Sequence, residues 1–204
     1  CEGRKTRLYG DPGLSVRCPS LMQWPRIDVS RYINPTARAL AYVSSIGCTH
    51  MCRFCRMGGG WHPAPVDETL ADLENLIRAY DLSAITFQDA NFFPSPARVK
   101  RLCQGFMDRQ FNITWHANGR ADQLAKYPEE TLRLIEESGC RLVILGVETA
   151  SPKLAPLIGK GEGTEQIEDC VSVLNRYSFA VNAHFIFGLP GELPKDTMDS
   201  IQFY

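Results

Sequence analysis

Cys48-Thr49-His50-Met51-Cys52-Arg53-Phe54-Cys55 is the stretch on which the reading of this chain turns. It is preceded by the apolar run Leu40-Ala41-Tyr42-Val43 and followed by Gly58-Gly59-Gly60, so a buried strand, expected over about residues 40–46, empties into a tight loop. Thiolates select soft metals, and spacings of three and then two residues let one short loop wrap a compact iron-sulfur cube. A 4Fe-4S cube normally takes four cysteines, and this loop offers three. One iron is therefore left with an open position that a substrate can fill. A structural zinc site needs a fourth ligand, for which Cys18, His50 and His62 are the candidates, yet no second C-x-x-C pair or H-x3-H follows. Disulfides fit worse, because three cysteines crowded into one loop cannot all pair locally, and a chain of 204 residues builds a core without covalent staples.

Working outward, strands alternate with helices from residue 39 onward, the arrangement that gives a parallel sheet with right-handed crossovers. A helix is expected over Asp67–Tyr80, with Leu70, Leu73, Leu76 and Ile77 on one face. Ala84–Phe87 is the second strand, and Pro94 and Pro96 introduce a helix burying Val99, Leu102, Cys103, Phe106 and Met107. The third strand is Ile113–His116; Pro128 opens the next helix, with Gly139 as its stop. Arg141–Leu145 is nearly continuous in apolar residues and should be covered on both faces. A helix over Thr164–Tyr177 and a strand over Val181–Phe187 complete five units, and Pro194 opens a last helix with Met198 and Ile201 on one face. The fold class is α/β, a partial (β/α)6 barrel lacking its last strand in this chain. Residues 1 to about 38 carry Pro12, Pro19, Pro25 and Pro35 without a period and read as a lead-in or interdomain connector, pinned by Trp24 and Tyr32. The absence of an initial methionine and the helix pattern opening close to Tyr204 suggest a piece of a longer protein.

In parallel α/β architectures chemistry collects at the carboxyl ends of the strands. Asp89, Arg120, Glu148 and His184 come from four different strand ends, and only the barrel brings them to the cysteine loop. Composition excludes little else. At 44% hydrophobic, 22% charged and a net charge of -1, the chain is ordinary globular material with no electrostatic footprint for nucleic acid. It has no apolar run long enough to span a bilayer and no leader pattern, so a cytoplasmic location is expected. Gly58-Gly59-Gly60 and Gly159-Lys160-Gly161 read as loops, and Cys103, Cys140 and Cys170 as small core hydrophobes.

The cysteine motif, with Phe54 just before the third thiol, resembles that of the radical SAM superfamily. Over residues 27 to 204, Ile85-Thr86-Phe87-Gln88-Asp89, Gly119-Arg120-Ala121-Asp122, Gly146-Val147-Glu148-Thr149 and Phe187-Gly188-Leu189-Pro190-Gly191-Glu192 resemble the strand-end motifs of its cobalamin-dependent branch. The resemblance implies that Cys48, Cys52 and Cys55 ligate a 4Fe-4S cluster whose open iron takes the amino and carboxylate groups of S-adenosylmethionine (SAM). Reductive cleavage of SAM then gives methionine and a 5′-deoxyadenosyl radical. Phe54 would lie near the adenine. Gln88 and Asp89 stand in place of a Gly-Gly-Glu stretch that holds the methionine amino group, although the glycines are missing here. Glu148 would reach the ribose or the amino acid part, Arg120 would pair with the SAM carboxylate or with Glu148, and His184 stands where relatives often carry an aspartate. A small-molecule substrate, an external electron donor such as flavodoxin or ferredoxin, and a cobalamin are further expectations, with methyl transfer or a carbon-skeleton change as the reaction. Two rivals are a methylthiotransferase-like RNA-modifying enzyme, which would want a basic patch, and an electron-transfer iron-sulfur protein, which would want a fourth cysteine.

Overall fold

A computed structural model describes residues 27–203. The elements run β1 (Ile33–Asn34), β2 (Ala39–Tyr42), β3 (Ser45–Cys48), β4 (Gly60–Pro63), α1 (Val66–Tyr80), β5 (Ala84–Phe87), α2 (Pro96–Asp108), β6 (Thr114–Gly119), α3 (Ala121–Leu124), α4 (Glu129–Glu137), β7 (Cys140–Glu148), α5 (Ala155–Ile158), α6 (Thr164–Leu174), β8 (Ala180–Phe185) and α7 (Pro194–Phe203). One sheet has the order β1-β2-β5-β6-β7-β8, with β1 antiparallel to β2 and every other neighbouring pair parallel. This is the expected α/β architecture: five parallel strands of an open barrel-like sheet, each followed by helix. Among the described residues no helix is long and apolar enough to cross a membrane.

The second strand matches its sequence reading residue for residue, because a short β-branched and aromatic run bounded by turn residues leaves little room for error. The first does not. The stretch expected as one strand over 40–46 is divided between two sheets: β2 lies in the large one, whereas β3 pairs antiparallel with β4 in a separate two-stranded ribbon. Gly47 makes the ribbon possible. Its φ is +82°, and a Cβ there would overlap the Gly60 carbonyl oxygen across the pair. The triple glycine is accordingly the start of a strand as well as the end of a loop. The lead-in also ends earlier than its aperiodic composition suggests, since Ile33–Asn34 already pairs with β2. Trp24 lies outside the described residues, and Tyr32 is 66% exposed, so it does not pin that segment.

Strand ends were the other difference. β6 continues through Asn118-Gly119 and β7 through Gly146-Val147-Glu148, past the polar residues read as loop. A strand edge is fixed by its neighbours' hydrogen bonds, which the local sequence does not contain. Val143, Leu145 and Val147 face the helices and are buried, while Leu142, Ile144, Gly146 and Glu148 alternate onto the half-covered opposite face. The core between sheet and helices centres on Phe87, Phe92, Phe106 and Trp115: Trp115 meets Phe87 and Phe106 edge-on, Phe92 lies tilted against Phe87 and Trp115, and Phe87 and Phe106 are stacked; the Trp115 indole N–H reaches Ser138 O at 3.1 Å. α7 begins at Pro194 as read, but Met198 and Ile201 stay about half exposed.

Candidate active site

The ribbon carries the cysteine loop between Cys48, the last residue of β3, and Gly60, the first of β4. What fixes the ribbon's base is Asp89. Its carboxylate is 1% exposed and accepts hydrogen bonds from the Ser44 N–H (3.0 Å), Ser44 Oγ (2.9 Å) and Ser45 Oγ, the residues that open β3. Buried Arg98 completes the joint by donating to Ser44 O at 3.1 Å and Ala64 O at 3.3 Å, one carbonyl on either side of the ribbon. Burial raises the Asp89 pKa, while the serine donors and Arg98 oppose that rise. The carboxylate expected to hold an amino group is thus already occupied, and neither it nor exposed Gln88, whose N–H pairs with Tyr42 O, lines the cavity described next.

A cavity of about 220 Å³ opens at the carboxyl ends of the strands, lined by Cys48, Cys52, Phe54 and Cys55 on the loop side. Asn118, Ile144, Gly146, Glu148 and His184 line it from the sheet, as the two-residue period of β6, β7 and β8 dictates, and Arg120 and Lys160 close it. The structure therefore gathers Phe54, Arg120, Glu148 and His184 with the three cysteines. Among the described residues no three His, Cys, Asp or Glu side chains converge closely enough for a single metal ion. The three thiols instead share the wall of one cavity, a donor set that suits a multi-iron cube.

Glu148 is aimed by a local distortion. The β7–β8 register shifts between Gly146 and Glu148, and Glu148 adopts φ +69°, a conformation that puts strain of about 1–3 kcal/mol on a side-chain-bearing residue. Its side chain folds back over Gly146, where a Cβ would overlap Oε1. Glu148 Oε1 lies 3.6 Å from Lys160 Nζ, which also donates to Gly146 O and lies 3.0 Å from Glu162 Oε2. Arg120 turns elsewhere than expected. It pairs with Asp122 (Nε to Oδ1, 3.0 Å) and Glu162 (3.3 Å), donates to Lys160 O at 2.8 Å, and points Nη1 at Cys52 Sγ from 3.7 Å. The partner of Glu148 is Lys160.

These charges are taken out of water, with Arg120 and Lys160 each 6% and Glu162 1% exposed in their side chains, so they persist only as a mutually satisfied set. Burial raises the Glu162 pKa and its hydrogen bond with Asp122 adds to the rise; at Asp122 burial is outweighed by the bonds from Glu162 and Arg120, and the pKa falls. Glu162 is the member of that pair that keeps a proton longer. At Cys52, burial raises the thiol pKa and the Arg120 and Lys160 charges pull against it. Sequence reasoning missed Lys160 and Glu162, which sat inside a glycine-rich loop; the available signal was a Gly-Lys-Gly-Glu-Gly run, where opposite charges are spaced by residues that let a backbone turn inward.

Comparison with known proteins shows the family and the fold. Residues 42–204 match the radical SAM superfamily, and the chain belongs to that superfamily. It is 27% identical over 165 residues to an uncharacterised methyltransferase of Pyrococcus horikoshii, covering 79% of this chain and 35% of that protein. It is 24% identical over 174 residues to the bacteriochlorophyllide d C-12(1)-methyltransferase of Chlorobaculum tepidum, covering 82% and 37%. Among solved structures, the cobalamin-dependent S-adenosylmethionine radical enzyme OxsB superposes with a TM-score of 0.70 at 23% identity, over 81% of this chain and 26% of that one. Methylornithine synthase superposes at 0.61 and 16% identity, over 80% and 48%. The chain spans about a third of the length of these two curated relatives, and the fold and motif define a radical SAM enzyme core.

Proposed function

We propose that Cys48, Cys52 and Cys55 hold a 4Fe-4S cluster, that the facing walls of the cavity hold SAM, and that the protein uses this pair, together with a cobalamin, for methyl transfer or a related carbon-skeleton change. The observation that carries the reading is the meeting of three thiols with the Glu148–Lys160 charge pair in one cavity. Three thiolates leave one iron without a protein ligand. An amino acid bound to that iron through its amine and carboxylate would be steadied by an acceptor for the amine N–H and by a cation beside the carboxylate, and Glu148 and Lys160 supply both. When bound, the reduced cluster supplies the electron that splits SAM into methionine and a 5′-deoxyadenosyl radical.

The chain's own residues prepare the site. Phe54, 40% exposed at the cavity wall, offers a ring face to an adenine. Arg120, aimed at Cys52 Sγ, donates to the thiolate and lowers its negative charge, which favours uptake of an electron by a sulfur-bound cluster. The methyl-transfer part of the reading is supported by the methyltransferase relatives, and the cobalamin part by the likeness to cobalamin-dependent OxsB. The 204 residues contain no Asp-x-His-x-x-Gly stretch, so such a cofactor would be held without that ligand from this chain.

The test uses full-length protein, reconstituted anaerobically and given a strong one-electron reductant. The expected products are 5′-deoxyadenosine and, if methyl transfer dominates, S-adenosylhomocysteine, with cobalt present in protein produced in cobalamin-rich medium. A cluster whose spectrum does not change when SAM is added would end the SAM reading; SAM cleavage by protein devoid of cobalt would remove the cobalamin part alone.

A further inference from the structure

The cysteine loop is fastened to the opposite wall of the cavity by a residue that is not one of the thiols. The Arg53 N–H donates to Ile158 O at 2.9 Å, and its Nη1 donates to Leu157 O at 3.3 Å. Both acceptors are carbonyls at the carboxyl end of α5, where helix geometry leaves them without partners and where a cation is favoured. Gly159 follows in the left-handed conformation (φ +63°), and a Cβ on it would come within 3.2 Å of Arg53 Cγ and 3.5 Å of Nε. The arginine stem therefore lies on the bare face of that glycine. Next in the chain is Lys160, whose carbonyl accepts from Arg120 and whose ammonium holds Glu148; Arg120 in turn faces Cys52. The contacts close a circuit that leaves Cys52 through Arg53, passes the end of α5, Gly159, Lys160 and Arg120, and returns to Cys52.

We propose that Arg53 is a positioning residue that locks the cysteine loop to the Gly159–Glu162 loop, holding cysteine-bound iron and the Lys160–Glu148 pair at one fixed separation. The inference rests on the reading that SAM bridges these two walls. Nothing in it requires Arg53 to touch SAM. Removing the side chain leaves the three thiols and the backbone bond to Ile158 in place, so the cluster should still assemble; what loosens is the spacing between the walls. A ligand that must engage both walls then binds more weakly, by about three- to tenfold, the size expected for one hydrogen bond and its packing. The same contact is disturbed from the other side by Gly159→Ala, which adds a methyl against the arginine stem and strains the left-handed backbone.

The experiment compares reconstituted wild-type protein, Arg53→Ala, Gly159→Ala and the double variant by titrating the reduced cluster with SAM and following its EPR spectrum, alongside iron and sulfide content and the thermal midpoint of the cluster-free protein. Each single variant is expected to bind SAM three- to tenfold more weakly with iron content unchanged, and Arg53→Ala with its midpoint also unchanged because that side chain is exposed. The double variant should lose less than the product of the two single losses, since both disturb the Arg53–Gly159 contact and only the backbone strain of Gly159→Ala is independent of it. Wild-type affinity in Arg53→Ala overturns the proposal, as do losses that multiply in the double variant. A parallel fall of iron content and midpoint in Arg53→Ala also overturns it, because Arg53 would then serve stability alone. A wild-type cluster indifferent to SAM is a different failure, visible before any variant is compared, and belongs to the underlying reading.

Discussion

Replacing Asp89 by alanine separates two roles for this residue, a ligand for SAM or the anchor of the cysteine ribbon. In the structure its buried carboxylate accepts from Ser44 N–H, Ser44 Oγ and Ser45 Oγ and faces buried Arg98. Breaking a buried charged joint by removing one partner costs about 3–5 kcal/mol, because the remaining donors are stranded away from water. Burial raises the Asp89 pKa despite those donors, so desolvation outweighs their gain for the ionised form and the lower end, about 3 kcal/mol, is expected. For a domain of this size that is a fall in thermal midpoint of roughly 6–12 °C. Asp89→Asn keeps the shape and one acceptor oxygen and should lose about half as much. The assay is a thermal or urea melt of cluster-free protein, followed by iron content after reconstitution, which should fall in Asp89→Ala as the ribbon loosens. A variant that melts within about 2 °C of wild type and keeps its iron, but binds SAM poorly, would refute the anchoring argument and return Asp89 to the cofactor.

Two further outcomes follow from the same geometry. Gly146→Ala puts a methyl where Glu148 Oε1 and Lys160 Nζ now lie, so the Glu148 side chain must swing out; SAM affinity in an EPR titration should fall by about tenfold or more while the buried core, and with it the melt, changes little. His116, on the middle strand β6, has its pKa lowered by burial, so the unfolded chain binds its proton more readily than the folded one; folding stability should rise as pH climbs from the depressed folded value through 6.5, and His116→Gln should flatten that slope in melts of cluster-free protein. An unchanged slope in the variant would show that the imidazole stays as accessible to protons in the fold as in the unfolded chain.

The cysteine spacing, the hydrophobic periods and the positions of polar residues at strand ends were local properties, and they sufficed for the α/β class, for the five parallel strands and for the set Cys48, Cys52, Phe54, Cys55, Arg120, Glu148 and His184 that meets in one cavity. A period of two or 3.6 is written in every window of the chain, and a loop that closes on one cluster needs its ligands close in sequence. What the chain could not show on its own was pairing at a distance. Whether residues 39–48 form one strand or two depends on Gly47 meeting Gly60 and on Asp89 and Arg98 holding Ser44, contacts that join four separate segments. Glu148 pairs with Lys160 rather than Arg120 because a register shift turns the end of β7, and a register belongs to two strands together. Lys160 read as loop between Gly159 and Gly161, and Glu162 was not singled out; burial made both part of the site, since a charge enters the interior only where partners from other segments already wait, and those partners are placed by tertiary structure alone.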